Sequence, residues 1–435
     1  MTLMDRGAVL DTLADYAGRA AALLPGGGSH DFRQLEPPGP FMRSGSLGRK
    51  RNANGRAVID LALGNGSLLF GHGYRPVLAA IEEAVRAGLH LSATTEAELG
   101  WAEQVNRLVP VAEQIRFTAS GNEAVALAVA VARRVTGRQS LISLHGHHFG
   151  WVLPGLGVEV ETAADPGALA ARLQDNGHNY ALLLLEPTGA AFGKVPLTGG
   201  DVTAIVDAAR AADVPVLFDE TLTGFRVAPG GAQSLFGLHP DLVVLGKILG
   251  AGLPCGALAG DARFMAALDN RVGRPGGAAH VAHGGTHNAN PVVAAAGAAM
   301  LAALADGKAC LAANANAADL RARLNRLFAN LGVGWAAYGA HSEAHLFLNP
   351  LGEAIDPMAW RPADADAAGL LARNAALINA LRVALLEGGV DVNGWPGALT
   401  ASVHTPEDWD RVEAGFARAI EQLRRADVTL TGWGI

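Results

Sequence analysis

Short, almost wholly apolar segments alternate with helical segments through most of the first 260 residues, and this alternation constrains the fold more than any other feature. The apolar segments are short and continuous, which is typical of strands covered on both faces. They are AVIDLAL (57–63), QIRFT (114–118), SLISL (140–144), YALLLLE (180–186), VPVLFDE (214–220) and DLVVLG (241–246). Helical patterns lie between them at 77–87, 123–136, 166–176 and 201–212. This alternation predicts an α/β fold with a mostly parallel sheet and right-handed crossovers.

The two ends of the chain have a different pattern. After residue 308 the sequence predicts helices at 311–331, 367–387 and 407–424 and strand-like segments at 335–347 and 399–403. We expect a smaller α+β domain there. Residues 1–20 resemble an amphipathic helix, and the Gly- and Pro-rich residues 25–54 predict a loop or arm with no core of its own. The predicted domains are 1–55, joined to the small domain, 56–308, the large α/β domain, and 309–435, the small domain.

Composition and charge narrow the class of protein. Half of the 435 residues are apolar and 17% are charged, so the chain is able to bury a sizeable core. The formal charge of −7 argues against nucleic acid or an anionic membrane as the main partner, because both need a clustered basic face. Two cysteines are too few for a disulfide framework, and the acidic N-terminal segment does not resemble a signal peptide. We expect a soluble, cytoplasmic protein.

Lys247 is the first candidate for chemistry. It directly follows the apolar segment DLVVLG, whereas Lys50 lies in a basic run and Lys194 and Lys308 follow glycines in polar turns. In a parallel α/β sheet, ligands bind beyond the carboxyl ends of the strands. An amine held there against an apolar wall has a lowered pKa and becomes nucleophilic. The alternative is a strand-end lysine that reaches solvent.

Asp219 ends the neighbouring apolar segment, with Glu220 beside it. An aspartate at a strand–helix junction is commonly a helix cap or turn residue. A carboxylate at this position would also keep a ring nitrogen protonated. Together, Lys247 and Asp219 match what pyridoxal phosphate needs, which is a lysine for the Schiff base and a carboxylate at the pyridine nitrogen.

A third candidate lies between the segment IRFT and a long Ala-rich helix, at Ser120, Gly121 and Asn122. Backbone N–H groups at a helix start, together with the Ser120 hydroxyl, would bind a phosphate. The spacing of Ser120 and Glu123 also fits an ordinary capping box, and the two interpretations are compatible.

Other patterns give weaker indications. GNGSLLFG and LGAGLPCG lack the glycine spacing of a dinucleotide fingerprint, and the chain has no Walker motif. His145, His147 and His148 are too closely spaced to surround one metal ion, and no carboxylate or cysteine joins them locally. We expect no metal site, and a single histidine from this group is better suited to stacking on a flat ring.

These candidates lie in longer segments that resemble the class III pyridoxal-phosphate aminotransferases, which have fold type I. Residues 218–260, FDETLTGFRVAPGGAQSLFGLHPDLVVLGKILGAGLPCGALAG, are similar to the cofactor segment of that family. The nearest likeness is to glutamate-1-semialdehyde aminomutases and related β-amino-acid aminotransferases. Further matches occur in the same order along nearly the whole chain, at VIDLALGNGSLLFGHGYRP, IRFTASGNEA, the EP of LLLLEPTG, and GGTHNANP.

The resemblance implies roles for individual residues. Lys247 would form the internal aldimine with pyridoxal 5′-phosphate and carry a proton between substrate carbon and cofactor. Asp219 would face the pyridine nitrogen, and Ser120, Gly121 and Asn122 would form the phosphate loop. Thr286 is similar to a threonine that reaches the phosphate in the neighbouring subunit. The resemblance therefore implies a homodimer with shared active sites.

Arg33 lies eight residues after Pro25, which is the spacing of a carboxylate-binding arginine in the family, although a solvated loop arginine is the alternative. Other positions depart from the family pattern. His148 stands in place of the stacking tyrosine, and Thr221 replaces a valine on the other face of the ring. Asn122 replaces a threonine, and Asn65 occupies the position of a substrate-site tryptophan, which leaves the identity of the substrate open.

The stretch from Trp151 to Leu185 is only thirty-five residues long. In aminomutases it is longer and includes a mobile lid that retains the intermediate. Its shortness predicts an aminotransferase that moves an amino group from a carboxylate-bearing amino acid or amine to a keto or aldehyde acceptor. The alternatives are glutamate-1-semialdehyde 2,1-aminomutase or a similar intramolecular transfer, and a non-catalytic relative that keeps the fold.

Overall fold

The computed structural model describes residues 14–37, 39–271, 280–395 and 397–433. The chain forms two compact units. Unit 1 takes the described residues of Met1–Asn65, Phe70–Gly73 and Ala312–Ile435, and unit 2 takes those of Gly66–Leu69 and Tyr74–Leu311. The middle of the chain therefore forms one unit, and segments on either side of it form the other.

The described strands of the chain are β1 Met42–Ser46, β2 Arg49–Asn52, β3 Ala57–Asp60, β4 Gln114–Thr118, β5 Ser140–Leu144, β6 Glu161–Ala163, β7 Tyr180–Leu185, β8 Val195–Pro196, β9 Val216–Glu220, β10 Leu242–Gly246, β11 Gly256–Gly260, β12 Ala336–Tyr338, β13 Glu343–Phe347, β14 Val390–Asp391 and β15 Gly397–Leu399. Described helices of five residues or more are α1 (residues 14–23), α2 Arg75–Ala87, α3 Glu96–Leu108, α4 Gly121–Thr136, α5 Pro166–Asn176, α6 Gly199–Ala211, α7 Gly231–Phe236, α8 Pro291–Leu304, α9 Lys308–Asn330, α10 Ala367–Leu371, α11 Ala375–Gly388 and α12 Pro406–Arg425.

The sheet of unit 2 has seven strands in the order β4-β11-β10-β9-β7-β5-β6. Strands β10, β9, β7, β5 and β6 pair in parallel. Every residue of β7 and β10 is buried, and helix α4 packs its Ala- and Val-rich face on that core. The predicted α/β fold with a mostly parallel sheet is confirmed.

Strand β11 was not predicted from the sequence. It is antiparallel to both of its neighbours, β10 and β4. Four of its five residues, in the sequence GALAG, are Gly or Ala, and other backbone runs close to its two glycines. A Cβ atom at Gly256 would lie 2.3 Å from the carbonyl oxygen of Ser120, and one at Gly260 would lie 2.6 Å from that of Asp241. The two glycines therefore allow neighbouring backbone to pass close to both ends of β11.

Unit 1 contains two small sheets, β1-β2-β3-β14 and β12-β13-β15. Its core is formed by helices α9, α11 and α12, which pack around Trp335, Leu346 and Val390. This combination of helices and mainly antiparallel strands agrees with the predicted α+β character. The prediction of one helix at 367–387 was wrong, because α10 ends at Leu371 and α11 begins at Ala375.

The interpretation of residues 25–54 as an arm with no core of its own was wrong for its second half. Strands β1 and β2 form an antiparallel hairpin there, and β2 continues the sheet to β3. Lys50 is not a free basic residue, because its amino group is 3.0 Å from a carboxylate oxygen of Asp60 and also contacts Asp391. The predicted N-terminal helix is described from residue 14 onward, and residues 1–13 lie outside the described ranges.

Within the described ranges, no helix by itself has the length and apolar composition needed to cross a membrane. Helices α8 and α9 meet that criterion only when taken together, and the pair is bent by 75° at the break between them.

Candidate active site

The candidate residues of unit 2 follow the carboxyl ends of its parallel strands. Asp219 lies in the last two residues of β9, and Lys247 follows β10 directly. The register of these two strands pairs Asp219 with Val244. Because parallel strands end at the same edge of the sheet, the turns after β5, β7, β9 and β10 meet at that edge. Strand β4 runs in the same direction and ends beside Ser120.

Lys247 has an unusual backbone conformation and a partly buried side chain. Its φ is +49°, a left-handed value that residues other than glycine rarely adopt. The side chain is half-buried, and burial lowers the pKa of its amino group. The carboxylates of Asp219 and Glu186 raise the pKa of Lys247 and Arg226 lowers it, so the net direction is downward. At a given pH, the neutral and nucleophilic form of the amine is therefore a larger fraction at Lys247 than at an exposed lysine.

Asp219 is held by Thr221. The Asp219 oxygen Oδ1 accepts hydrogen bonds from the backbone N–H of Thr221 at 2.9 Å and from its hydroxyl group. Within the described ranges, the other oxygen, Oδ2, accepts no hydrogen bond. Burial raises the pKa of Asp219, while Thr221, Lys247 and His148 oppose that shift. A cationic ring nitrogen at Oδ2 would compensate the buried charge.

Helix α4 begins at Gly121, with Ser120 as its N-cap. The Ser120 hydroxyl accepts a hydrogen bond from Glu123 N at 3.2 Å, and the Glu123 carboxylate accepts one from Ala119 N at 2.8 Å. The N–H groups of Gly121 and Asn122 have no acceptor in the described part of the chain, as expected in the first turn of a helix. They provide donors and the positive end of a helix dipole for an anion.

Glycines allow the loops around this helix start to pack closely. A Cβ atom at Gly121 would lie 2.9 Å from Cγ2 of Thr221. Gly150 has a φ of +74°, and a Cβ atom there would lie 1.8 Å from the Asn122 oxygen. That oxygen accepts a hydrogen bond from Trp151 N at 3.1 Å. The side chain of Asn122 therefore holds the turn after β5 and leaves its backbone N–H for a ligand.

The three histidines after β5 have different surroundings. Nδ1 of His147 accepts a hydrogen bond from Glu186 N at 2.9 Å, and burial lowers the pKa of His147 to about 3. His148 is exposed, and burial of part of its ring lowers its pKa. Among the residues that the structure describes, no group of three His, Cys, Asp or Glu side chains is arranged to hold a metal ion.

No hydrogen bond or ion pair in the described part of the chain joins the remaining predicted residues to this group. Thr286 belongs to unit 2, where its side chain is exposed and its carbonyl oxygen contacts Nε2 of His90. Arg33 and Asn65 belong to unit 1. Arg33 ends a short 3-10 turn and is exposed, with no ion pair to any described residue. Asn65 has a φ of +55° and lies between two glycines that are also left-handed.

Sequence reasoning missed two features of this region. Glu186 was noted only as part of a motif, although it follows a buried strand just as Lys247 does. Its carboxylate accepts hydrogen bonds from His148 N at 2.7 Å, Ala191 N at 3.0 Å and Phe192 N at 2.9 Å. Lys194 was placed in a polar turn, but it is 5% exposed. Lys194 stands between Gly193 and Val195 in the segment AFGKVPL, and the sequence analysis gave no weight to the apolar residues around it.

Three comparisons relate the chain to known proteins. The family model described as aminotransferase class III matches residues 46–164 and 159–331. Glutamate-1-semialdehyde 2,1-aminomutase of Methanothermobacter thermautotrophicus is 35% identical over 351 residues, which cover 76% of this chain and 82% of that protein.

Two solved structures extend the likeness over nearly the whole chain. An omega-transaminase from Sphaerobacter thermophilus superposes with a TM-score of 0.83 at 25% identity, covering 95% of this chain and 98% of that one. A beta-phenylalanine aminotransferase from Variovorax paradoxus has a TM-score of 0.83 at 27% identity and covers 95% of both chains.

Proposed function

Because the chain belongs to the class III aminotransferases, we propose that it moves an amino group between two separate substrates. The donor is an amino acid or amine that carries a carboxylate, and the acceptor is a keto or aldehyde compound. The enzymes of this family use pyridoxal 5′-phosphate. When bound, this cofactor supplies a carbonyl for imine formation and a ring that withdraws electrons from the substrate carbon.

The residues of unit 2 fit this cofactor. The free oxygen of Asp219 suits a protonated ring nitrogen, and the uncompensated N–H groups of Gly121 and Asn122 suit a phosphate. Ser120 adds a hydroxyl group at the same helix start. We propose that His148 and Thr221 lie on opposite faces of the ring. A flat ring held between two side chains needs loops that approach each other closely. Gly121 and Gly150 permit this approach.

Lys247 performs two tasks in this proposal. Its amino group would hold the cofactor covalently between reactions. With substrate bound, Nζ would act as the base that takes a proton from the substrate carbon and as the acid that returns it. Its lowered pKa supports both tasks, because a neutral amine is the nucleophile and the base.

The substrate carboxylate is assigned to Arg33. A guanidinium group binds a carboxylate through two parallel hydrogen bonds, and that of Arg33 has no competing ion pair in the described part of the chain. We assign Asn65 to the substrate site from its position in the family pattern. An amide there, in place of a large aromatic ring, favours a polar substrate.

The observation that supports a two-substrate reaction is that helices and strands take up most of residues 151–185. This stretch contains the helical turn Val152–Gly155, strand β6, helix α5 and strand β7. The longest connection between these elements is 156–160. A lid that retains an intermediate needs a longer segment than this, so the product of the first half-reaction is free to leave.

An intramolecular transfer is the second candidate. Curated relatives support it, because the relatives at 35% and 31% identity are both named glutamate-1-semialdehyde 2,1-aminomutase. Such an enzyme returns the amino group to the same molecule and needs no second substrate. The two candidates therefore differ in stoichiometry.

Product formation with a single substrate distinguishes the two reactions. The cofactor-loaded enzyme is mixed with a series of amino acids and amines, with and without a keto acid. We expect at most one equivalent of carbonyl product per active site until the keto acid is added, and continued turnover afterwards. Continued turnover of glutamate-1-semialdehyde without an acceptor would assign the intramolecular reaction.

We further propose a cytoplasmic homodimer. The two cysteines are free and buried, which suits a reducing compartment. The exposed side chain of Thr286 is available to the cofactor phosphate of a second subunit. Residues 56–308 are proposed as the cofactor-binding domain, and residues 309–435 with the segment 1–55 as the second domain.

A further inference from the structure

Glu186 joins two turns at the active-site edge of the sheet. It follows β7, and the histidine turn follows β5, the neighbouring strand. Its own backbone N–H donates to His147, and its carboxylate oxygen Oε1 accepts from His148 N. These two bonds run in opposite directions between the same two turns. The imidazole ring of His147 and the backbone N–H of His148 are therefore both attached to one residue.

The same carboxylate also binds the segment that follows it. Oε1 accepts from Ala191 N, and Oε2 accepts from Phe192 N. Ala191 and Phe192 have φ values of +51° and +62°, which are left-handed conformations that cost free energy in residues with a side chain. Three N–H donors from two loops thus converge on one carboxylate, and the carboxylate compensates the strain of the second loop.

The ring of His148 has no comparable support of its own. It is exposed, and it makes no hydrogen bond to a described residue through its side chain. The position of the ring is consequently set by its backbone, which Glu186 holds at 2.7 Å. Glu186 also lies close enough to Lys247 and Asp219 to influence their charges.

We propose that Glu186 is a positioning residue that fixes the His148 ring against the face of the bound cofactor. This proposal rests on the function proposed above, because it requires a cofactor beside Lys247 and Asp219. Glu186 does not touch the reacting atoms in this account. It acts through the backbone of the histidine turn.

The substitution Glu186→Gln tests the proposal with little change in shape. A glutamine has one acceptor oxygen in place of two, and its NH2 group cannot accept from an N–H donor. It therefore loses the bonds to His148 and Ala191 or the bond to Phe192. Glu220→Gln is the control, because Glu220 is a buried carboxylate that likewise accepts hydrogen bonds from the backbone, at Ala232 and Gln233.

The readout is the visible circular dichroism of the Lys247-bound cofactor, which reports the asymmetry of its immediate surroundings. We expect Glu186→Gln to lower this signal at least twofold and to weaken cofactor binding roughly threefold to tenfold. Glu220→Gln is expected to change the midpoint of unfolding but not the visible signal per bound cofactor. An unchanged signal in both Glu186→Gln and Glu186→Ala, the second of which removes every acceptor oxygen, would overturn the proposal.

A double-mutant cycle with His148→Ala identifies the route of the effect. If Glu186 acts through His148, then Glu186→Gln produces no further loss of signal when His148 is already alanine. An equal loss in both backgrounds would show a direct effect of the charge and would contradict the proposal. Glu186→Asp, which keeps both oxygens on a shorter chain, replaces Glu186→Gln in the same cycle if the glutamine variant does not fold.

The wild-type signal separates this proposal from the proposed function. If the wild-type protein with pyridoxal 5′-phosphate shows no visible band, both are refuted. If the wild-type band is present and the Glu186 variants retain it in full, only the positioning role is refuted.

Discussion

Two of the lysines show how surroundings set the basicity of a buried amine. Burial lowers the pKa of both Lys50 and Lys247. At Lys50 the adjacent carboxylates of Asp391 and Asp60 outweigh burial and raise the pKa, whereas at Lys247 burial prevails. Direct ion pairs to two carboxylates stabilise the charged form of Lys50. Lys50 is therefore suited to structural ion pairs, and Lys247 is suited to a role that needs a neutral amine.

Replacement of Arg33 by alanine should weaken binding of carboxylate substrates. A hydrogen bond to a charged group contributes about 1.5–3 kcal/mol, so we expect KM to rise roughly tenfold to a hundredfold with a smaller change in kcat. Arg19→Ala is the control, because Arg19 is an exposed arginine of unit 1 that pairs with Asp15. Equal KM values for Arg33→Ala and wild type would place the carboxylate site elsewhere.

The partly buried ring of His147 predicts a loss of stability in mild acid. Its folded-state pKa is about 3, below the ordinary value of 6.5, so only the unfolded chain binds the proton near pH 5. Stability from this group is complete above pH 6.5 and falls as the pH drops toward 3. Between pH 7.5 and pH 5 the loss is roughly 1–2 kcal/mol.

The substitution His147→Asn checks this assignment, because an asparagine oxygen is able to accept the hydrogen bond from Glu186 N without titrating. Urea unfolding of the cofactor-free protein is followed by tryptophan fluorescence at pH 7.5 and pH 5. We expect the asparagine variant to lose roughly 1–2 kcal/mol less than wild type over this interval. The same loss in both proteins would exclude His147 as the titrating group.

The placement of Lys247 and Asp219 where buried strands end could be predicted from the sequence. The order of such segments indicates that their ends share an edge. The contact between His148 and Glu186 could not be predicted, because it joins residues 38 positions apart through a backbone N–H, which has no side-chain signature. The pair of His283 and Glu123 joins two side chains 160 positions apart, and it was missed because nothing in the sequence indicates which distant residues meet.

At the scale of elements, Ser120 at the start of helix α4 has two roles, as helix N-cap and as proposed phosphate ligand. Substitutions at two different N-caps distinguish these roles. Ser120→Ala removes the N-cap and the proposed phosphate ligand, so we expect about 1 kcal/mol less stability and weaker cofactor binding. Thr95→Ala removes the N-cap of helix α3, where Thr95 Oγ1 accepts from Glu98 N at 3.2 Å. It should cost similar stability and leave cofactor affinity unchanged.

Urea unfolding and fluorescence titration with pyridoxal 5′-phosphate measure the two effects. If both variants weaken cofactor binding equally, the effect belongs to helix stability and not to a contact with the phosphate.

Elements with a strong apolar signal were predicted well, and those made of small or mixed residues were not. Strands β4 and β5 begin and end where the sequence indicated, as does helix α5. Strand β11 was missed because Gly and Ala do not favour strands by themselves, and only the surrounding backbone explains them. The hairpin β1–β2 was missed because its residues are mostly polar and exposed.

At the scale of the whole molecule, the proposed homodimer makes a prediction about mixed subunits. If Thr286 serves the partner's site, a heterodimer of Lys247→Ala and Thr286→Ala subunits has one site with both defects and one with neither. The Lys247→Ala homodimer should be inactive, and the Thr286→Ala homodimer should bind cofactor roughly tenfold to a hundredfold more weakly, as for loss of a charged hydrogen bond.

The heterodimer, purified through two different tags, should have about half of the wild-type activity per dimer at low cofactor concentration. Activity no higher than the average of the two homodimers would show that Thr286 acts within its own subunit, or not at all.

The pairing of β3 with β14 has a consequence for synthesis of the chain on the ribosome. Asp60 and Asp391 occupy partnered positions in these strands. At about 5–20 residues per second, roughly 15–65 s pass before the second of them is made. During this interval the nascent β3 has an open edge. Lys50 and Asp60 place charges beside it, and such charges discourage edge-to-edge association with other newly made chains.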